Sequence, residues 1–272
     1  MKGRLRFSSI RTKRSKAARP REGDREWTLT AVLSELKSLA DPRAGAKMAQ
    51  FGVNVPKAHG ISAPVLHSLA KHIGKNHELS QELWKTGIHE ARILATLIGE
   101  SRKVTATEMD RWARDFNSWD MVDAACCYLY AQAKPAWKKT ESWSRRREEF
   151  VKRAAFSLMA FLAHKDKSSS DSRFRRLLAL TQREASDERK FRRKAVNWAL
   201  RNIGKRNQRL NLEAIRAGKQ IREQGTSSAR WIAAVALREL KSAAVQVRLR
   251  RKGSENARDQ TRKTITRRPR AR

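Results

Sequence analysis

The sequence predicts an all-α protein built from stacked helical pairs. Apolar residues recur at three- and four-residue steps through some two hundred residues. No segment alternates with period two for long enough to form a convincing strand. The helices are short and joined by turns of a few residues, which is typical of helical repeats. Because the repeats show no clear self-similarity in sequence, a compact orthogonal bundle remains an alternative.

Apolar periodicity and capping residues place the individual helices. Gly74, Gly87 and Gly99 each follow a periodic segment and predict left-handed C-caps. Thr105 and Glu108 form a capping-box pattern that predicts another helix start. The predicted helices cover residues 27–41, 63–74, 78–85, 88–98, a segment after Thr105, 119–130, 145–163, a segment through Phe174 and Leu180, 189–205, 210–221 and 227–240. Pro135 interrupts the pattern after the central helix.

Two strongly basic ends flank this helical region. Residues 1–26 have hardly any apolar periodicity and predict a disordered basic arm. Residues 247–272 predict a disordered basic tail, which leaves residues 27–246 as one helical-repeat domain. The first residues lack the hydrophobic core of a secretory signal. A transit peptide is the alternative for them, but the equally basic carboxyl end favours an arm that grips nucleic acid.

The charge balance indicates a polyanionic partner. The chain of 272 residues has 62 basic and 27 acidic side chains, a formal net charge of +35. This excess favours nucleic acid over a protein-binding scaffold. A membrane partner is not predicted, because no apolar run of about 18 residues is present and the basic segments lack an interfacial apolar face. A hydrophobic content of 39% is nevertheless enough for a continuous core.

The sequence contains no pattern for a metal or a cofactor. Cys126 and Cys127 are adjacent and have no second spaced pair or clustered histidine, so they predict reduced core thiols in a cytosolic protein. Phosphate-binding glycine loops and nucleophile motifs are also absent. These absences argue against nucleotidase and hydrolase mechanisms that depend on such motifs.

The central helix contains an acid where core residues are expected. Ser118 is a natural N-cap, and helical 100° steps bring four residues onto one stripe: Trp119, Asp123, Cys126 and Tyr130. Asp123 therefore lies on an aromatic face, whereas Asp120 is expected to point away and to favour only the helix dipole. A carboxylate among apolar groups needs a partner or a task. The residues alone favour a structural partner.

A later helix has a basic and aromatic face. Lys194, Trp198, Arg201 and Lys205 combine cations with a flat ring, which suits phosphate contacts beside a sugar or base. The alternative is a solvated basic face with a half-buried tryptophan. Arg153 is a candidate phosphate clamp, with a rim arginine or an ion pair to a neighbouring helix as the alternatives.

Four runs of the sequence resemble a known family. They are Glu82-Leu-Trp-Lys-Thr-Gly-Ile-His-Glu-Ala-Arg-Ile-Leu-Ala95, Asp115-Phe-Asn-Ser-Trp-Asp-Met-Val-Asp123, Phe150-Val-Lys-Arg-Ala154 and Lys194-Ala-Val-Asn-Trp-Ala-Leu-Arg201. In this order they are similar to the DNA alkylation repair proteins of the AlkD type, which are HEAT-like-repeat glycosylases. The resemblance covers roughly residues 29–240. It implies a curved α-α superhelix with a basic concave face.

The resemblance also implies a site. The family's lesion-side residues map onto Trp119, Asp123, Arg153 and Trp198, and this agreement moves Asp123 from a structural to a catalytic assignment. His67 departs from the arginine expected at that position, which puts one phosphate contact in doubt. The implied protein is a monomeric, metal-independent, cytoplasmic and nucleoid-associated glycosylase that acts on double-stranded DNA containing alkylated purines. The rival is a non-catalytic protein that binds structured DNA or RNA, because some branches keep the fold without detectable excision.

The expected chemistry needs little more than one carboxylate. A purine with a fixed positive charge is already a good leaving group, so no general acid is required. Asp123 is expected to stabilise the oxocarbenium-like sugar and to orient a water, while Trp119 and Trp198 flank the deoxyribose through their ring faces. The resemblance implies recognition through backbone and sugar, without a pocket for a flipped base.

Overall fold

A computed structural model describes residues 26–41, 43–53 and 55–266 of the chain. Every regular element in these residues is a helix, which confirms the all-α prediction. The α-helices are α1 Leu29–Ser38, α2 Ala44–Gln50, α3 Ala63–Ile73, α4 His77–Lys85, α5 His89–Ile98, α6 Ala106–Arg114, α7 Trp119–Ala124, α8 Ala136–Ser144, α9 Glu149–Lys165, α10 Asp171–Arg183, α11 Lys190–Gly204, α12 Gln208–Glu223, α13 Ser227–Leu240 and α14 Ala243–Thr266. A π-helical turn, Ala125–Leu129, and a 3₁₀ turn, Tyr130–Gln132, follow α7.

The helices stack as neighbouring pairs around one core. Helices α5, α7, α9, α11 and α13 contact each other in that order, while α8, α10, α12 and α14 form a second row. The pairs α8–α9, α10–α11 and α12–α13 join the two rows, and α4 packs against α5. Buried side chains form one continuous cluster from Val32 to Leu240. Contacts that mostly link successive units are typical of a repeat stack rather than an orthogonal bundle.

Some of the predicted capping residues are present, whereas Ser118 precedes α7 without a side-chain cap hydrogen bond. The Thr105 hydroxyl accepts the Glu108 N–H at 3.1 Å, so the predicted cap at the start of α6 is present. Gly74 and Gly87 have φ of 75° and 72°, as left-handed C-caps require. Gly99 is different, because its φ is −61° and the left-handed prediction is wrong there. A Cβ at Gly99 would lie 2.9 Å from Leu129 Cδ1, so close packing favours glycine at this position.

Two helices, α2 and α8, were not predicted from the sequence. Helix α2 has only seven residues and no side-chain cap at Arg43, so it carries neither of the signals used for the others. Helix α8 begins directly after Pro135, which has φ of −77°. Proline interrupts a helix in its interior but suits a helix start, because its missing N–H is not needed there. Pro135 therefore marks the start of α8, whereas the sequence pattern had been interpreted as interrupted there.

The carboxyl-terminal prediction of disorder is wrong for residues 247–266. Helix α14 crosses the predicted boundary at 247 and contacts α12 and α13. Val245 and Leu249, which are 7% and 1% exposed, lie four residues apart on one helix face and anchor its first half. Their short apolar stripe is hidden among basic residues in the sequence. Residues 1–25 of the predicted arm lie outside the described residues.

Candidate active site and nucleic-acid interface

Asp123 lies at the end of α7, where the helix changes its geometry. The π-helical turn Ala125–Leu129 begins two residues later. A π turn contains more residues than an α turn, so the side chains beyond it leave the 100° register. Beyond Asp123 the predicted stripe runs into the core, because Cys126 and Tyr130 are fully buried. The cleft face instead continues through Cys127 and Tyr128.

The Asp123 carboxylate has two side-chain partners on α9. Arg153 Nη2 donates to Oδ2 at 2.7 Å, and the Ser157 hydroxyl donates to Oδ1 at 2.8 Å. Burial raises the pKa of the Asp123 carboxyl above its usual value, although the charge of Arg153 and the hydrogen bond from Ser157 act in the opposite direction. The side chain of Asp123 remains 20% exposed. The charge is thus held in a fixed place and still reaches the cleft.

Arg153 lies behind Asp123 rather than in front of it. The residue is 5% exposed, and its Nη1 donates to the Phe191 carbonyl at 2.9 Å. Its guanidinium carbon lies 5.9 Å from the Trp119 ring centroid. The geometry therefore matches the ion pair to a neighbouring helix that the sequence left open, and it does not present Arg153 as a phosphate clamp. In this arrangement Arg153 orients Asp123.

An open cleft of about 390 Å³ lies in front of Asp123. Trp119, Asp120, Asp123 and Phe161 line it together with aliphatic residues of α3 and α5. Trp119 Nε1 donates to the Phe51 carbonyl at 3.0 Å, so its ring is fixed against the turn after α2. Trp198 packs its ring edge-on against Phe161 at a centroid distance of 4.9 Å. Trp119 thus lines the cleft directly, whereas Trp198 lies one ring behind its wall.

The predicted basic face on α11 is partly neutralised. Arg201 and Lys205 both form ion pairs with Glu239 of α13, the latter at 2.7 Å. Burial opposes ionisation of Glu239, but the hydrogen bonds from Lys205 and Arg201 keep its pKa below its usual value. Lys194 is exposed. Of these three residues, Lys194 is therefore the one most available for a phosphate.

Asp120 does not point away from the site, so that prediction is wrong. Its Oδ2 lies 2.9 Å from Nε2 of His89, which is 2% exposed at the start of α5. Burial alone would raise the pKa of Asp120, but the hydrogen bond with His89 keeps it below the usual value. Asp120 also lines the cleft beside Asp123. The first turn of α7 therefore contributes a second acid to the site.

The fully buried Glu90 fixes the segment that precedes α3. Its carboxylate accepts the backbone N–H groups of His59 at 2.8 Å and Gly60 at 2.7 Å. The N–H of Ile61 approaches the same carboxylate at 3.3 Å. Two adjacent residues at the start of α5 thus fix two different elements: His89 binds α7, and Glu90 binds the segment before α3.

His67 and Cys127, two further residues considered from the sequence, lie at the edge of the cleft in front of Asp123. His67 Nε2 lies 3.1 Å from the Tyr128 hydroxyl, and the two rings meet edge to face. His67 thus contacts a tyrosine of the turn after α7. Cys126 is a buried free thiol as predicted, but Cys127 is only partly buried and lines the cleft. The core assignment of Cys127 is therefore wrong.

Sequence reasoning missed Ser157, His89 and Glu90. Ser157 follows Arg153 by four residues on a helix, so the shared face was visible in the spacing. His89 and Glu90 stand in one of the four runs that carry the family resemblance, but nothing in their spacing indicates their partners. Together these residues hold one anion beside aromatic rings, an arrangement that can stabilise a positive charge arising next to it.

The described residues include neither a candidate metal site nor a candidate membrane-spanning helix. They contain no group of three or more histidine, cysteine or acidic side chains placed to hold a metal ion. None of the helices found there is long and apolar enough to cross a membrane.

Comparisons with known proteins agree with the fold. The family model described as "DNA alkylation repair enzyme" matches residues 32–240. A solved structure described as "A new family of proteins related to the HEAT-like repeat DNA glycosylases with affinity for branched DNA structures" superposes with a TM-score of 0.64. It is 21% identical in sequence and covers 71% of this chain and 83% of its own. No curated protein matches the chain in sequence.

Proposed function

The chain belongs to the DNA alkylation repair enzyme family, and on that basis we propose that it is a DNA glycosylase. It binds double-stranded DNA and excises positively charged N3- and N7-alkylated purines by hydrolysing the N-glycosidic bond. The observation that carries this proposal is the Asp123 carboxylate, which Arg153 and Ser157 hold at the wall of an aromatic cleft. A protein that binds only phosphate gains nothing from an anion on its binding face.

The residues of the cleft suit a reaction in which positive charge moves onto the sugar. The alkylated base leaves as a neutral purine, so the glycosidic bond breaks without a proton donor. Asp123 lies in apolar surroundings, where its charge stabilises an oxocarbenium-like deoxyribose more strongly than it would in water. Each carboxylate oxygen has one protein partner and retains a further acceptor site for a water. That water then adds to C1′ of the sugar and passes one proton to the Asp123 carboxylate, while the neutral purine leaves.

We expect purified protein to release free alkylpurine from methylated duplex DNA without added metal or nucleotide. Asp123 and the charge of the substrate suffice for the proposed step, so EDTA should leave the released amount unchanged. Chromatography of the ethanol-soluble fraction measures 7-methylguanine and 3-methyladenine directly. Unmethylated duplex of the same sequence is the control, and DNA that is bound without any release would contradict the proposal.

The excision rate should depend on pH through Asp123. The reaction needs the carboxylate, so the single-turnover rate should fall as pH falls through the pKa of this residue. Because burial raises that pKa, the fall should begin at a higher pH than an exposed aspartate would give. Ser157→Ala removes a hydrogen bond that favours the charged form, and it should move the fall to still higher pH. A pH profile that is identical in both proteins would contradict this assignment.

A second candidate function is binding to branched DNA without excision. It is favoured by the ion pair itself, because a carboxylate whose two oxygens both have protein partners also fits a structural role. The similar solved structure described as having affinity for branched DNA is consistent with it. Competition between a four-way junction and a methylated duplex separates the candidates. Strong preference for the junction together with no release of alkylpurine would support this second function.

A further inference from the structure

Phe51 is the most exposed large apolar side chain among the described residues. It follows the last residue of α2 and is 67% exposed. Leaving an aromatic ring in water forgoes the free energy that burial would supply. A single exposed aromatic residue can be incidental. For Phe51, the fixed backbone of its turn and its position beside the cleft argue for a role in binding.

The turn at Phe51 is fixed by its own hydrogen bonds. The Phe51 and Val53 N–H groups donate to the Met48 carbonyl at 3.0 and 3.1 Å, and the Gly52 N–H donates to the Ala49 carbonyl at 2.8 Å. Gly52 has φ of 79°, a left-handed conformation that glycine adopts without strain. The next residue, Val53, is 6% exposed and anchors the turn. The ring of Phe51 thus projects from a well-defined backbone.

The same turn touches the candidate active site on two sides. Trp119 of α7 donates its indole N–H to the Phe51 carbonyl. On the other side, a Cβ on Gly52 would lie 3.0 Å from Phe191 Cζ, so the turn lies directly against this ring. The Phe191 carbonyl in turn accepts from Arg153, the partner of Asp123. Phe51 also lines a cleft of about 720 Å³ that shares Asp120 with the cleft in front of Asp123.

We propose that Phe51 is a stacking residue that inserts its ring against an unstacked nucleobase at a disrupted position of duplex DNA. This inference shares one assumption with the proposed function, which is that the clefts face DNA, and it does not depend on excision. The occupant is argued from charge, because a chain with net charge +35 brings polyanions to its surface and an aromatic ring beside them meets bases or sugars. Every base has a π-face, so the contact detects disruption of the duplex rather than its sequence.

The test compares two duplexes that differ at one nucleotide. One contains a tetrahydrofuran abasic analogue, which leaves the opposite base unpaired, and the other is intact. We expect wild-type protein to prefer the abasic duplex in fluorescence anisotropy titrations. Phe51→Ala should weaken binding to the abasic duplex by about fivefold or more, in line with the loss of one base–aromatic stack. Binding to the intact duplex should change by less than about twofold.

Matched variants show whether stacking is the cause. Phe51→Tyr keeps a flat ring and should retain the preference, whereas Phe51→Leu keeps apolar surface without a ring and should lose it. Leu212→Ala removes a similarly exposed apolar side chain, 60% exposed, from α12, and it should change the affinity for neither duplex. Melting temperatures check that each variant is folded. Should Phe51→Ala unfold, Phe51→Leu carries the test, because it retains most of the buried part of the side chain.

Three results would overturn the proposal. They are a wild-type protein without preference for the abasic duplex, a folded Phe51→Ala or Phe51→Leu variant with unchanged preference, and an equal loss of affinity for both duplexes. None of these measurements requires excision. A different outcome is that the wild-type protein releases no alkylpurine while the Phe51→Leu variant still loses the preference for the abasic duplex. That pair of results would refute the proposed glycosylase activity and would support the role of Phe51.

Discussion

Asp123→Asn should lower the single-turnover excision rate by at least about a hundredfold, which corresponds to the loss of one preorganised electrostatic group. Asparagine has almost the same shape, and its amide oxygen can still accept from Arg153. It lacks the negative charge that the oxocarbenium-like sugar requires. The measurement is excision of 7-methylguanine from a defined duplex with enzyme in excess, so that product release does not limit the rate. Affinity for unmodified duplex should stay constant or rise slightly, because an anion facing phosphates repels them.

The structure supplies a matched control for this variant. Asp110 of α6 also accepts from a cation and a ring N–H, from Lys139 at 2.6 Å and Trp143 at 2.8 Å, but it lines neither cleft at the site. Asp110→Asn should therefore leave the excision rate within about twofold of wild type. If Asp123 is merely structural, its loss will lower the melting temperature and reduce binding and excision together. An unchanged excision rate in a folded Asp123→Asn protein would remove Asp123 from the mechanism.

Arg153→Ala should be much more disruptive than the removal of a residue that only binds phosphate. The change removes the buried partner of Asp123 and leaves the carboxylate without its counter-ion, which typically costs about 3–5 kcal/mol of folding free energy. We therefore expect a lower melting temperature in addition to a lower excision rate. A stable Arg153→Ala protein that only binds duplex DNA more weakly would instead support the phosphate clamp considered from the sequence.

Removal of both basic ends should have the largest effect on affinity. The cut at the carboxyl end belongs after Ser254, because a cut at 247 would remove Leu249, which is 1% exposed. The shortened protein, residues 26–254, lacks seventeen basic and four acidic residues of the full chain. Each phosphate that the protein no longer neutralises lowers the slope of log affinity against log salt by about 0.9. Nonspecific affinity at low salt should therefore fall by orders of magnitude, and the salt dependence should flatten.

Excision distinguishes the role of the ends from that of the site. With enzyme in saturating excess, residues 26–254 should excise alkylpurine at nearly the full-length rate, because every described residue that lines the cleft lies within this range. Binding titrations at several salt concentrations, followed by single-turnover rates on the same preparations, measure both effects. A shortened protein that binds well but no longer excises would place the ends inside the active site.

The sequence by itself determined the helical class and most helix boundaries. Segments such as α4 and α13 bury one side of an amphipathic pattern, and caps such as Thr105 act within three residues of themselves. These are local signals, so a single sequence contains them. Helix α2 was missed because it is short and has no side-chain cap, and α8 was missed because Pro135 was taken as an interruption rather than a helix start. The identity of Asp123, Trp119 and Trp198 as candidates came from the family resemblance, not from helical spacing, which alone favoured a structural role for Asp123.

Only the tertiary structure decided which groups meet. Arg153 and Ser157 lie 30 and 34 positions from Asp123, and Glu239 lies 38 positions from Arg201. No periodicity predicts such pairs, because they depend on which helices become neighbours in the stack, and this follows from the packing of all side chains between them. The cleft face beyond Asp123 likewise runs through Cys127 and Tyr128 of the π-helical turn, whereas Cys126 and Tyr130 lie in the core. A turn of this kind is stabilised by the surrounding packing, so a helical pattern read at constant 100° steps does not reveal it.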